Sequence, residues 1–277
     1  MIQVRCLVEN SAKHSTPLWG EHGLAWHIQT PHGQLLFDTG QSGDVLLHNA
    51  VLFGLDLAQI DALAISHAHY DHTGGLSKVL EGTRPGIPLH AHADLFRERF
   101  SKQGDAYKSI GLRSSRAALE SHVELRLSTE PVEILPGVWT TGEITERATF
   151  EGRSPSHLIR AGEGWRPDPY RDDLSLVLQT AAGLVVLLGC GHAGLLNILA
   201  QVRAQFEGDI IAIAGGTHLT SATGLLLQQV VETLAATYGT PAIYPNHCSG
   251  YHAWMTLTAA FGDRVQPCPV GTELTFA

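Results

Sequence analysis

The hexapeptide His67-Ala68-His69-Tyr70-Asp71-His72 stands directly behind the apolar run Ala62-Leu63-Ala64-Ile65 and directly before the turn Thr73-Gly74-Gly75. In extended chain His67 and His69 project to the same side, so both imidazoles can meet one ion. The turn that follows lets Asp71 and His72 swing toward a second. A polar loop whose histidines satisfy local backbone groups is the ordinary alternative, but it gives no reason for three imidazoles and a carboxylate so close together at a strand end. The chain is therefore expected to fold so that this strand end opens into a metal-binding pocket.

Histidine recurs at other strand ends. His192 follows Val185-Val186-Leu187-Leu188, His218 follows Ile210-Ile211-Ala212-Ile213, and His247 follows Ala242-Ile243-Tyr244. Each precedes a predicted helix, which is where α/β proteins place their ligand groups. His192 and His247 are read as metal ligands, and His218 as a ligand or substrate contact. Asp38, in Phe37-Asp38-Thr39-Gly40, ends another strand. It can accept the outer N–H of a ligating histidine, or serve as an Asx-turn or helix cap. Cys190 is either a soft ligand or a buried small hydrophobe. His90 and His92 share the i, i+2 spacing without an Asp-His pair and read as a half-exposed strand. His14, His22, His27, His32, His48, His122, His157 and His252 form no constellation by spacing.

Composition narrows the function. The 277 residues hold 16 His against 18 Lys+Arg, with a formal charge of -9, which leaves no broad cationic surface for nucleic acid or an anionic membrane. A small-molecule substrate is expected, and any anionic one would be drawn by metal and local arginines. The four cysteines contain no CxxC pair, and no apolar stretch reaches the roughly 18 residues of a membrane span. A soluble, cytoplasmic protein with reduced thiols is expected. There is no G-x-S-x-G elbow, P-loop lysine motif or G-x-G-x-x-G turn after a strand, so metal chemistry is left: two ions about 3.5–4 Å apart can share a hydroxide and polarise a substrate oxygen.

The hydrophobic pattern predicts strands over 4–8, 24–29 and 34–37, a helix over 44–53, a strand over 60–65 and another near 89–91. An irregular stretch over about 95–173 follows. A hairpin over 174–188 then leads into helices over 195–206, 225–238 and 252–261, each preceded by an apolar strand. This order predicts a layered α/β sandwich with helices outside two sheets, as one domain over 1–277 with a covering insertion around 95–170.

At His67 to His72 the chain resembles the metallo-β-lactamase superfamily, whose hallmark is HxHxDH. The segments Val8-Glu9-Asn10, Gly20-Glu21-His22-Gly23-Leu24, Leu36 to Ser42, Gly189 to Gly194, Gly215 to Leu219 and His247-Cys248-Ser249-Gly250 resemble its 7,8-dihydropterin-6-yl-methyl-4-(β-D-ribofuranosyl)aminobenzene-5′-phosphate synthase-like branch. The resemblance implies a four-layer αββα sandwich with a two-metal centre. It implies that His67, His69 and His192 hold the first ion, and Asp71, His72 and His247 the second. Hydrolase branches carry a bridging Asp where this chain has Cys190, a departure that touches the second site and weakens any transfer of β-lactam hydrolysis.

The expected activity is that of a metal-dependent hydrolase acting on a small ester, lactone or phosphate-bearing metabolite. A metal-activated hydroxide would attack, with Asp71 orienting it and His218 steadying the oxyanion. Zn2+ is the first expectation for the two ions, with Mn2+ or Fe admissible. Trp139, Trp165, Arg147 and Arg153 of the insertion would shape the pocket as a partial lid. Two other readings stay open: a transferase or lyase joining a pterin to a phosphoribosyl-aminobenzene unit, and a metal-retaining metabolite-binding protein. A flavodiiron-like oxidoreductase is disfavoured, because His69 stands where that branch resembles HxExDH.

Overall fold

The computed structural model describes all 277 residues. Strands β1 (Ile2–Val8), β2 (Ala25–Thr30) and β3 (Gly33–Phe37) form an antiparallel meander. Helix α1 (Asp44–Leu52) leads to β4 (Ala62–Ala64), and α2 (Tyr70–Thr73) and α3 (Leu76–Gly82) lead to β5 (Ile87–His92). Then come β6 (Arg99–Gln103), β7 (Ala106–Ser109), α4 (Arg116–Glu120), β8 (Val123–Ser128), β9 (Glu133–Leu135), β10 (Val138–Thr140), β11 (His157–Ala161) and β12 (Gly164–Pro167). The hairpin β13 (Leu176–Thr180) and β14 (Gly183–Leu187) is followed by α5 (Leu195–Gln205), β15 (Ile210–Gly216), α6 (Gly224–Tyr238), β16 (Ala242–Asn246), α7 (Tyr251–Phe261) and β17 (Glu273–Phe276).

Two sheets, ordered β17-β1-β2-β3-β4-β5-β8 and β16-β15-β14-β13-β10-β9, pack face to face. Alternation along the strands decides which side each residue serves. Leu35 and Phe37 of β3 point between the sheets, where they join Val4, Trp26, Leu176, Val185 and Ala214. Leu36 points the other way, into the layer that α1 and α3 cover with Leu46, Leu76 and Val79. On the far side α5, α6 and α7 bury Ile198, Val230 and Leu257 against Val186 and Ile213. These four layers are the αββα sandwich expected from the sequence.

The 95–173 segment departs from its expected irregularity. β6, β7, β11 and β12 form a third, four-stranded antiparallel sheet in the order β12-β11-β6-β7, while β8, β9 and β10 extend the two main sheets. Its strands gave no inside-outside pattern because they bury little: β7 is exposed throughout, and β6 is buried only at Arg99. Trp139 is not part of a lid; it packs against the α5-side core and meets Phe206 edge-on. Arg147 is spent on the carbonyls of Ile144, Pro169 and Tyr170. Arg153 lies over Phe150, and Trp165 stacks on Tyr107, neither against the histidine cluster. His90 and His92 are both buried at 2% exposure rather than half-exposed. They face the inter-sheet side of β5, where His92 contacts Glu143 at 3.3 Å.

Every chemistry-bearing loop leaves the same edge of the sandwich. β3, β4 and β5 run parallel, as do β14, β15 and β16, so their carboxyl ends lie together. The loops there close very tightly. A Cβ on Gly74 would sit 2.1 Å from the Gln41 carbonyl oxygen, and one on Gly75 2.2 Å from that of Thr39, so backbone meets backbone where only glycine fits.

Candidate metal centre

Seven side chains converge at that edge in two adjoining groups. His67, His69 and His192 form one, and Asp71, His72, Cys190 and His247 the other; within each, the potential ligand atoms lie within 4.8 Å of one another. His67 Nε2 and His69 Nδ1 are 3.1 Å apart, and His72 Nε2 is 3.2 Å from both His247 Nε2 and Cys190 Sγ. Asp71 Oδ2 lies 3.3 Å from His247 Nε2. Ligand nitrogens around a tetrahedral ion at 2.0–2.1 Å stand roughly 3.3 Å apart, so these spacings suit an ion at the middle of each group. Cys190 and His192 are not alternatives for one position, since they belong to different groups.

The hydrogen bonds around the groups fix which nitrogens face inward as lone pairs. His72 Nδ1 donates to Asp38 Oδ2 at 2.6 Å, so Nε2 is the nitrogen that faces the second group. Ser66 Oγ donates to Asp38 Oδ2 at 2.7 Å and therefore accepts from His67 Nδ1 at 2.9 Å, which frees His67 Nε2. His192 Nδ1 donates to the Gly152 carbonyl at 3.0 Å, and its Nε2 is buried with no protein partner. His247 Nδ1 donates to Asn10 Oδ1 at 3.2 Å. Buried inward-facing lone pairs such as those of His67, His192 and His247 are stabilised by added positive charge, a proton or a metal ion. The donor set therefore fits divalent ions.

Electrostatics agree. Burial holds the His67, His69 and His192 imidazoles well below their usual pKa, so all three are neutral, the form that ligates. Burial also opposes charge on His72, yet the Asp38 and Asp71 carboxylates outweigh it and raise its pKa to about 9. Asp71 is held well below the usual carboxylate range because His72, His22 and His247 outweigh its burial. The same pull for positive charge would act on a metal ion.

The supporting residues come from distant segments. Asp38 accepts both Ser66 N–H and Ser66 Oγ–H as well as His72 Nδ1–H, which holds the His72 ring in place. Glu9 accepts the His247 N–H at 2.9 Å, and Asn10 donates to the His247 carbonyl at 2.8 Å. Asp172 accepts the N–H of Ala68, between the two histidines of the hexapeptide, and Asp173 accepts that of Ala193, next to His192. One acidic dipeptide thus clamps both loops of the first group. Burial raises the Asp173 pKa to about 7. Asp172 is neutralised by the fully buried Arg99 of β6, at 2.6 Å.

The backbone also marks the site. Only six non-glycine residues have positive φ, and Asp38 (63°), Tyr170 (47°), His218 (47°) and His247 (51°) are four of them. Such conformations are uncommon for residues with a Cβ and concentrate at functional sites. His218 sits beside His192, ring centroids 4.3 Å apart, with an unpartnered Nδ1 and a pKa lowered to about 4 by burial. It is neutral near pH 7. Spacing alone missed several neighbours. His22 reaches Asp71 at 3.3 Å, His157 meets His69 edge-on at 5.0 Å, and Tyr170 stacks on His192 at 4.4 Å. None has a partner near in sequence that would have signalled its place.

A family model described as the metallo-beta-lactamase superfamily matches residues 18–192, more than half of the chain. The chain belongs to the metallo-β-lactamase superfamily. Along 99% of its length it is 28% identical to a protein of Methanocaldococcus jannaschii named 7,8-dihydropterin-6-methyl-4-(beta-D-ribofuranosyl)-aminobenzene-5'-phosphate synthase, covering 97% of that relative. Among solved structures it is similar to Tm1679, described as a metal-dependent hydrolase of the beta-lactamase superfamily, with a TM-score of 0.85 and 25% identity over the whole of both chains. The metallo-beta-lactamase fold protein YhfI from Bacillus subtilis shares the fold at a TM-score of 0.57 and 13% identity, over 99% of this chain and all of that one. Superfamily membership accords with divalent-metal binding at the two groups.

Asp38→Asn keeps an acceptor for Ser66 N–H but turns an amide toward His72, which favours the wrong tautomer and points an N–H into the second group. Metal affinity there should fall roughly 10- to 100-fold, and the first group should weaken too, because the same amide turns the Ser66 hydroxyl proton toward His67 Nδ1. Metal titration by calorimetry reads this, and two unchanged binding steps would sink it.

Proposed function

We propose that this protein is a two-metal hydrolase of a small ester, lactone or phosphate-bearing metabolite, with Zn2+ the ion that suits its imidazole, carboxylate and thiol donors best. The observation that carries the reading is the pair of adjoining buried ligand groups opening into one cavity of about 230 Å³. His67, His69 and His192 would hold one ion, and Asp71, His72, Cys190 and His247 the other. Ions bound there supply Lewis acidity, polarising a carbonyl or phosphoryl oxygen and acidifying water. Asp71 accepts a hydrogen bond from the attacking water and orients it. His218, neutral and lining the cavity, offers a ring N–H to the oxyanion that forms as the substrate C=O or P=O bond opens. No helix is long and apolar enough to cross a membrane.

A second reading is favoured by the near-full-length similarity to a relative named as a synthase: a transferase or lyase that couples a pterin to a ribofuranosyl-aminobenzene phosphate. Elemental analysis of protein purified without added metal comes first, with two ions per chain expected. Turnover is then measured on bis(4-nitrophenyl) phosphate, 4-nitrophenyl acetate and a small lactone. In parallel the protein is incubated with a dihydropterin precursor and the aminobenzene ribofuranoside phosphate. Hydrolysis of the first panel supports the leading reading, whereas a coupled product without such hydrolysis replaces it.

A further inference from the structure

The cavity over the metal groups has a roof that the mechanism leaves without a role. It is the inner face of the third sheet. In its register His157 of β11 pairs with Ser101 of β6, and Ser101 pairs with Lys108 of β7. Directly paired residues share a face, so the three side chains form a row across three strands, and Gln103 lies two residues along on the same side. All four line the cavity. The opposite face holds the ring cluster of Phe100, Tyr107 and Trp165 with Arg160 across it, which stiffens the sheet from outside.

The charges in this cavity are divided. Lys108 is its only lysine or arginine, and Asp71, in the floor, is its only carboxylate. The Lys108 ammonium, at the exposed rim, lies over the Tyr70 ring, 5.6 Å from its centroid, with the Arg113 guanidinium also 5.6 Å from that ring. Unlike Lys78, which pairs with Asp44, Lys108 pairs with no carboxylate. An unpaired ammonium beside a hydroxyl and an imidazole is a donor set for an anionic oxygen group.

We propose that the row Lys108, Ser101 and His157 is the specificity determinant that grips a phosphate or carboxylate group of the substrate and holds the rest of it over the two metal groups. This rests on the hydrolase reading for the identity of the floor, and its test is separable from that reading. Full-length protein loaded with Zn2+ is titrated calorimetrically with phenyl phosphate, benzoate and, as the uncharged counterpart, benzamide. Lys108→Ala should weaken whichever anion the row recognises roughly 10- to 100-fold, the loss of one charge-assisted hydrogen bond. Lys108→Arg should restore most of it, benzamide should be little affected, and preference for phenyl phosphate over benzoate would name the group as phosphate. The proposal falls if wild-type protein binds neither anion, if Lys108→Ala binds both as tightly as wild type, or if benzamide weakens in parallel. Anion binding that depends on Lys108 in a protein that hydrolyses no ester would overturn only the hydrolase reading. Ester hydrolysis with anion binding indifferent to Lys108 would overturn only this one.

Discussion

Alanine in place of Asp71 should reduce hydrolysis by at least roughly 1,000-fold, about 4 kcal/mol of transition-state stabilisation, and should cut the metal content from two ions per chain to one. Asp71 supplies the only carboxylate among the seven converging side chains, and its Oδ2 lies 3.3 Å from both His22 and His247. Without it the second group keeps two imidazoles and a buried thiol whose pKa burial pushes up, one ligand and one negative charge fewer for a divalent ion. The first group, His67, His69 and His192, shares no atom with Asp71 and should keep its ion. Elemental analysis beside a turnover assay reads both effects. Two retained ions with undiminished turnover would refute the assignment.

The other large effect lies away from the cavity. Arg99 is fully buried and sits among three carboxylates, 2.6 Å from Asp172, 3.2 Å from Asp168 and 3.4 Å from Asp94. Removing one partner from a buried ion cluster strands the others, so Arg99→Met should destabilise the protein by about 3–5 kcal/mol. For a chain of this size the melting temperature should fall by on the order of 10 °C. The consequence reaches the metal centre, because Asp172 clamps the Ala68 N–H between His67 and His69. First-group metal affinity should therefore drop with stability, and Arg99→Met combined with Asp172→Asn should recover part of both. Thermal denaturation and metal titration of the three variants check this; an unchanged melting temperature for Arg99→Met would remove Arg99 from the account.

Much of the architecture was legible because its cause is local. The short apolar runs of β1 to β3 and β13 to β14 between turn residues, and the helical period in α5, α6 and α7, follow from which residues meet the core, and the observed bounds fall within a few residues of the expected ones. The strand expected over 60–65 is observed over Ala62–Ala64, two residues after the 3-10 turn Leu57–Gln59. The insertion was illegible for the converse reason: an exposed sheet has no buried face to imprint on its sequence, and Arg99, its one deeply buried residue in β6, is charged.

The hexapeptide, the glycine turn behind it and the histidines after successive apolar strands by themselves determined the kind of centre this chain can build. Ligands two residues apart in extended chain need only local geometry to share an ion, and parallel strands place their carboxyl ends together. Only the tertiary structure decided what surrounds that centre. It set Cys190 beside His72 and not with His67, closed Asp172 and Asp173 onto two separate loops, and laid His157, Ser101 and Lys108 in one row above the floor. Those arrangements depend on strand register and on buried charge pairing between segments far apart in the chain, and neither leaves a periodic trace in the sequence.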